Sequence, residues 1–86
     1  MKIEKKIWPK EFKEVLERRK NFELRADDFE CNEGDILVLK EWDPVKNEYT
    51  GRKVEREITY VLKTKNQKHY PKDYIEKHGL QIIQLK

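Results

Sequence analysis

The sequence predicts an α+β domain in which about five mostly antiparallel strands form a small β-barrel, with one main helix after the first strand. Three observations lead there. Short segments of apolar–polar alternation, the period of a strand, recur between turn-forming residues. A single apolar stripe at helical spacing, Phe12, Val15 and Leu16, follows Pro9. A chain of 86 residues is also too short for more than one hydrophobic core, so residues 1–86 are read as one domain.

Each element has its own signal. Lys2 to Trp8 reads as a strand with Ile3, Lys5 and Ile7 on one side and Glu4, Lys6 and Trp8 on the other. Pro9 suits the first helical position, where its missing N–H costs nothing, and the helix runs from Pro9 to Arg19 with a basic last turn. Asn21 to Arg25 is the second strand, with Phe22 and Leu24 on the core side and Asn21, Glu23 and Arg25 on the other. Ala26 to Asp35 carries turn chemistry (Asp27, Asp28, Asn32, Gly34), with Phe29 as a plug. Ile36 to Trp42 reads as a central strand, and Asp43 to Gly51 as a Pro-initiated connection. Arg52 to Thr64 is the return strand, with Val54, Ile58, Tyr60 and Leu62 on one face, interrupted by Arg56. Lys63 to Lys72 is a basic loop, Pro71 to Lys77 a short helix ending at His78-Gly79, and Leu80 to Leu85 the last strand.

Composition narrows the function classes. Charged residues make up 43% and hydrophobic ones 36%, yet the net charge is only +3 and two Trp, four Tyr and three Phe are present, which favours a folded core under a heavily solvated surface. So mild a positive balance does not argue for nucleic acid by itself; the placement of the charges must. Cys31 is the single cysteine, so no intrachain disulfide can form. His69 and His78 stand at no ligand spacing to it, so neither a metal nor another cofactor is expected. The opening residues lack the apolar core of a secretory signal, and no run approaches the ~18 apolar residues of a span, so a cytoplasmic protein without a membrane partner is expected.

The stretch Arg18-Arg19-Lys20-Asn21-Phe22-Glu23-Leu24-Arg25 sets an acid between basic groups on one strand face. It resembles the G-x-K-x-x-E-x-R signature of ASCH domains in the PUA-like superfamily. A wider set of motifs is similar to a small, uncharacterised bacterial and phage branch of ASCH-like domains. These are Pro9 with Phe12 and Val15-Leu16, Lys20 to Arg25, Gly34-Asp35-Ile36-Leu37, Trp42-Asp43-Pro44, Tyr49-Thr50-Gly51-Arg52, and Ile58-Thr59-Tyr60-Val61-Leu62. The resemblance covers nearly the whole chain. It implies a PUA-like pseudo-barrel whose cleft beside the helix is lined by Lys20, Glu23 and Arg25, and RNA or a nucleotide as partner. Two departures stand out: Arg18 replaces the signature glycine, so a left-handed exit from the helix there would be strained or absent, and Ile3 stands where the branch often has histidine.

Two functional readings follow. As a binding module, Lys20 and Arg25 hold a phosphate or base edge while Glu23 accepts from a base amino group, and Lys65, Lys68 and Tyr70 add phosphate and stacking contacts. As a small hydrolase, Lys20 would act as base with Glu23 or Glu57 as its partner. Enzymatic activity is the weaker expectation, because hydrolytic relatives carry a threonine where this chain has Glu23. A protein-interaction adaptor is a third possibility, and it would show a contiguous exposed apolar patch away from the cleft. The triad also has a plainer reading as a surface ion cluster worth ~0–1 kcal/mol. Arg52, Lys53 and Arg56 are read as strand solvation, Trp8 and Trp42 as core or rim packing, Tyr60 as core and Cys31 as a small loop residue.

Overall fold

In the computed structural model, residues 1–66 and 79–86 are described. The elements are β1 (Lys2–Ile7), α1 (Pro9–Leu16), β2 (Phe22–Ala26), β3 (Ile36–Asp43), β4 (Glu48–Lys63) and β5 (Leu80–Leu85), with a 3-10 turn at Thr64–Asn66. The expected helix over Pro71 to Lys77 and the greater part of the basic loop lie outside the described residues.

The five strands form one mixed sheet in the order β1-β3-β4-β5-β2. β1 runs parallel to β3, while the β3/β4, β4/β5 and β2/β5 pairs are antiparallel. The expected closed barrel, PUA-like or otherwise, is therefore not formed, because β1 and β2 are both edges and share no ladder. What joins them is a side chain: Arg25 Nη2 donates to the Lys6 carbonyl at 2.8 Å. An open seam remains between the two edges, and the short helix α1 borders it through Glu11.

The core forms where α1 covers the sheet. Phe12 and Val15 pack with Leu37, Leu39, Ile58 and Ile83, all essentially inaccessible. Each side chain of this size contributes about 1.5–3 kcal/mol on burial. Leu16, the third member of the expected stripe, stays partly exposed because the helix stops there.

Three backbone irregularities decide which side chains face inward. At the end of α1, Arg18 takes φ +61°, its N–H donating to Val15 O (3.1 Å), and the Arg19 N–H donates to Glu14 O (3.0 Å). This is the hydrogen-bond pattern of a glycine-type helix stop carried out by an arginine. The left-handed exit is thus present despite the missing glycine, and Asn21 Nδ2 holds the Arg18 carbonyl at 3.1 Å.

The second irregularity lies opposite Glu41, where the β3/β4 register passes from Lys40↔Lys53 to Trp42↔Tyr49. The strand therefore continues through Tyr49–Gly51, a stretch with the composition of a turn, and Gly51 adopts φ +95° inside it. The third is at Thr59, where Ile58 pairs with Leu85 but Tyr60 already pairs with Gln84. This bulge exchanges the two faces of β4, so Val61 packs on the core while Tyr60 and Leu62 turn to solvent. Tyr60 is therefore not a core residue.

Candidate functional site

β2 is laid into the sheet with the opposite face inward from the one its apolar residues suggest. Its register against β5 sets Glu23 beside Ile83 and Arg25 beside Gln81, two of the fully buried positions. Glu23 is 3% exposed, whereas Phe22 and Leu24 face outward and are about half exposed. The expectation that Phe22 and Leu24 anchor the site from beneath is overturned; the charged residues of β2 are the ones at the inner surface.

Along the open seam this arrangement makes a cleft of about 450 Å³, whose lining includes Lys6 and Trp8 from β1 and the residue after it, Glu11 from α1, and Lys20, Glu23 and Arg25. The sequence-predicted triad thus does converge on one concave surface. Arg25 Nε donates to Glu23 Oε2 at 2.9 Å, and Nη2 lies 2.9 Å from the same oxygen while bonding Lys6 O. Lys20 Nζ stands 3.2 Å from Glu23 Oε1, but Oε1, though buried, accepts no hydrogen bond from the described residues. An ammonium at that distance without hydrogen-bond alignment supplies charge and leaves a carboxylate lone pair unused, a costly arrangement in a buried site.

Trp8 is the residue whose place sequence reasoning misses. It lines the cleft and is 58% exposed, so it is an exposed aromatic beside the triad and not core packing. A signal for it exists: Ile7 fills the core, and strand alternation sends the next residue outward just before Pro9 starts the helix. Glu11, in the first turn of α1, is a second residue that the motifs do not single out; it gives the cleft another carboxylate. Among the described residues, no side chain lining the cleft carries a hydroxyl or thiol.

The other sequence-selected residues lie elsewhere. Lys65 pairs with the buried Asp27, Nζ to Oδ2 at 3.4 Å, as Lys63 does to Oδ1 at 3.3 Å. Burial works to raise the Asp27 carboxyl, but the Lys63 hydrogen bond and the charges of both lysines overcome it and hold it below its ordinary value. Lys68, His69, Tyr70 and His78 lie outside the described residues. Glu57 points to solvent and does not line the cleft, so it cannot serve Lys20 as a partner there.

The Tyr-Thr-Gly-Arg motif serves structure. The extra residues around Gly51 bring Thr50 Oγ1 (2.7 Å) and Arg52 Nε (2.8 Å) onto Glu41 Oε1, with Arg52 Nη2 on Oε2 at 2.8 Å. The Arg52 hydrogen bonds hold the buried Glu41 below its ordinary value despite its desolvation. Arg52 also lies over Phe12, 4.9 Å from the ring centre, tying the β3/β4 hairpin to α1. Trp42 meets Tyr49 edge-on at 4.9 Å and carries Lys6 Nζ over its ring at 3.7 Å, which steadies a cleft residue. Lys53 pairs with Glu55 at 3.6 Å, and Arg56 reaches the Val15 and Glu55 carbonyls. Cys31 is buried against Gln81, and burial pushes its thiol up.

Among the described residues no group of three or more His, Cys, Asp or Glu gathers as a metal site, and no helix is long and apolar enough to cross a membrane. A family model described as "Domain of unknown function (DUF3850)" matches residues 3–75, which takes in every cleft residue. A protein of Escherichia phage P2, "Uncharacterized 12.9 kDa protein in GpA 3'region", is 40% identical over 77 residues. The match covers 90% of this chain and 66% of that protein, so the chain spans a little under two thirds of the relative's length. Of the resemblance drawn from the motifs, these findings support the uncharacterised phage branch.

Proposed function

This chain belongs to the DUF3850 family, and from that premise we propose that it is a binding module for RNA or a nucleotide, with the seam cleft as its site. The observation that carries the reading is the Glu23 carboxylate, 3% exposed, with one oxygen accepting no hydrogen bond from the described residues and an exposed tryptophan on the same cleft. Glu41 fills both of its buried oxygens, whereas Glu23 Oε1 and Asp27 Oδ2 accept no hydrogen bond from the described residues, and of these two acids Glu23 is the one that lines the cleft beside the tryptophan. A phosphate that draws off the Lys20 ammonium frees Glu23 Oε1 to accept from the N–H edge of a base, and the Trp8 ring offers that base a stacking surface. Arg25 stays fixed by Glu23 and Lys6 O and presents its remaining N–H groups. The likeness of Lys20 to Arg25 to the ASCH signature supports the same reading. A cleft without a hydroxyl or thiol among its described residues favours binding over hydrolysis through a covalent intermediate on either group.

The test is titration of the protein at low salt with nucleoside monophosphates and short RNAs. Binding is expected to weaken with added salt and to fall at least about tenfold in Glu23→Gln and Trp8→Ala, with the fold retained. No binding across the panel, or binding indifferent to both substitutions, removes the proposal.

A further inference from the structure

The bulge at Thr59 and the inverted β2 expose a second surface on the other side of the sheet. Phe22 and Tyr60 stand on its outer face on either side of Gln84, with which each is paired. They lie two strands apart, so about 9–10 Å separates their backbones. A hollow of about 710 Å³ lies among them, Arg19, Leu62 and Ile82. This hollow and the cleft are joined by a third, of about 380 Å³, which shares Lys20 and Glu11 with the cleft and Arg19 and Phe22 with the outer hollow. The cations where they meet are Arg19 and Lys20, in the turn that ends α1, whose backbone is held by the helix stop. The Arg19 side chain is 70% exposed, and its ion pair with Glu17 is long, at 3.9 Å.

We infer that the outer face of β2, β5 and β4 continues the cleft's binding site and takes a single-stranded RNA, which crosses the rim of β2 over Arg19 and Lys20. The inference rests on the nucleotide-binding reading of the cleft and adds the substrate class. One base sits beside Trp8 and Glu23, phosphates meet the Arg19 and Lys20 cations, and the neighbouring bases stack on Phe22 and Tyr60. Exposed aromatic rings on one sheet face with cations at its rim are the pairing that single strands use, since every base has a stackable face and every linkage a charge. A base-paired duplex cannot offer unstacked bases on both sides of a rim. Glu11 and Glu14 line the joining hollow and oppose the phosphates, so the path favours the outer, arginine side of the turn.

The experiment compares a nucleoside 5′-monophosphate, a five-nucleotide single-stranded RNA and a duplex of the same strand on the intact protein. The pentamer is expected to bind at least about tenfold tighter than the monophosphate, and the duplex more weakly than the pentamer. Tyr60→Thr, which keeps a strand-forming residue at an exposed position, is expected to weaken the pentamer roughly 5- to 150-fold and leave the monophosphate unchanged. Arg19→Gln is expected to lower the salt slope for the pentamer by about 0.7 for each phosphate that the arginine neutralises.

If monophosphate and pentamer bind alike, lose affinity together in Glu23→Gln and ignore Tyr60→Thr, the extended path is overturned and the cleft reading stands. If neither binds, both fall. If the protein self-associates in sedimentation and Leu62→Lys makes it monomeric, the outer face is a protein interface and the single-strand inference is overturned.

Discussion

Replacing Arg25 by leucine tests how the seam is held. Arg25 neutralises a carboxylate that is 4% exposed, with 2.9 Å contacts to Glu23 Oε2, and makes the 2.8 Å bond to Lys6 O that spans the two edge strands. Stripping one partner from a fully buried pair costs about 3–5 kcal/mol. The Arg25 side chain is 25% exposed and Lys20 remains 3.2 Å from the other oxygen, so we expect about 2–3 kcal/mol after that discount. For a domain of this size that is a fall in Tm of about 10–20 °C. Glu23→Leu removes the buried charge and leaves only cations that can hydrate, so its cost is about 1 kcal/mol or less. The double substitution is then expected to be more stable than Arg25→Leu alone by at least about 1 kcal/mol, which urea melts with matched slopes would read as a coupling energy. Single-variant losses that add, or a double variant no better than Arg25→Leu, would refute the account of Glu23 as a buried acid kept at a cost for a ligand.

Arg18→Gly is expected to stabilise the protein by about 1 kcal/mol, seen as a Tm rise of about 4–8 °C, since only glycine takes the left-handed conformation without penalty; an unchanged or lower Tm contradicts the strain at φ +61°. Gly79→Ala should destabilise, because φ is +68° and the new Cβ would lie 3.1 Å from Lys65 Cβ and Thr64 Oγ1; a melt as high as that of the parent protein contradicts it. Asp27, Glu41 and Glu55 all ionise below their ordinary values in the folded state. Their contribution is therefore complete near neutrality and is lost as pH falls through 4.5 and then 3.8 towards the lower folded values. Melts from neutral pH to about pH 3 should show this decline, and Glu41→Gln should flatten it; a stability that rises on acidification reverses the sign. Cys31 should react with thiol reagents only as fast as the protein opens, and reaction at the rate of a free thiol at neutral pH would place it outside the core.

How far the fold is legible in the sequence depends on whether local periodicity and long-range register agree. β3, β5 and the start of α1 come out as expected, since Ile36–Leu39, the apolar content of Leu80–Leu85 and Pro9 each carry a local signal. The existence of β4 is equally plain, but its inward face beyond Ile58 is not, because nothing local to Thr59 announces a bulge; only the register with Gln84 and Leu85 does. Tyr49–Gly51 reads as turn because glycine usually ends a strand, whereas here it lets Thr50 and Arg52 reach the same carboxylate. The barrel fails for a related reason: strand count is legible, but whether the first and second strands meet depends on what occupies the space between them.

The reversal of β2 links these findings to the site. Alternation points Phe22 and Leu24 to the core, but in so short a strand a slip of one residue exchanges the two faces. Turning Phe22 and Leu24 inward would improve the core and leave Glu23 and Arg25 in water, where the pair would be worth little. Instead β5 lays Ile83 and Gln81 against Glu23 and Arg25, so the strand exposes its apolar residues and buries its charges. Such a choice opposes folding on both faces at once, and sequence logic fails in this way most often where a surface is kept for binding. The same inversion supplies both halves of the proposed path, the unfilled carboxylate within the seam and the bare phenylalanine outside it. Substitutions that restore the expected pattern, Phe22→Thr with Glu23→Leu, should therefore leave the fold intact while removing RNA binding from both sides of β2 together.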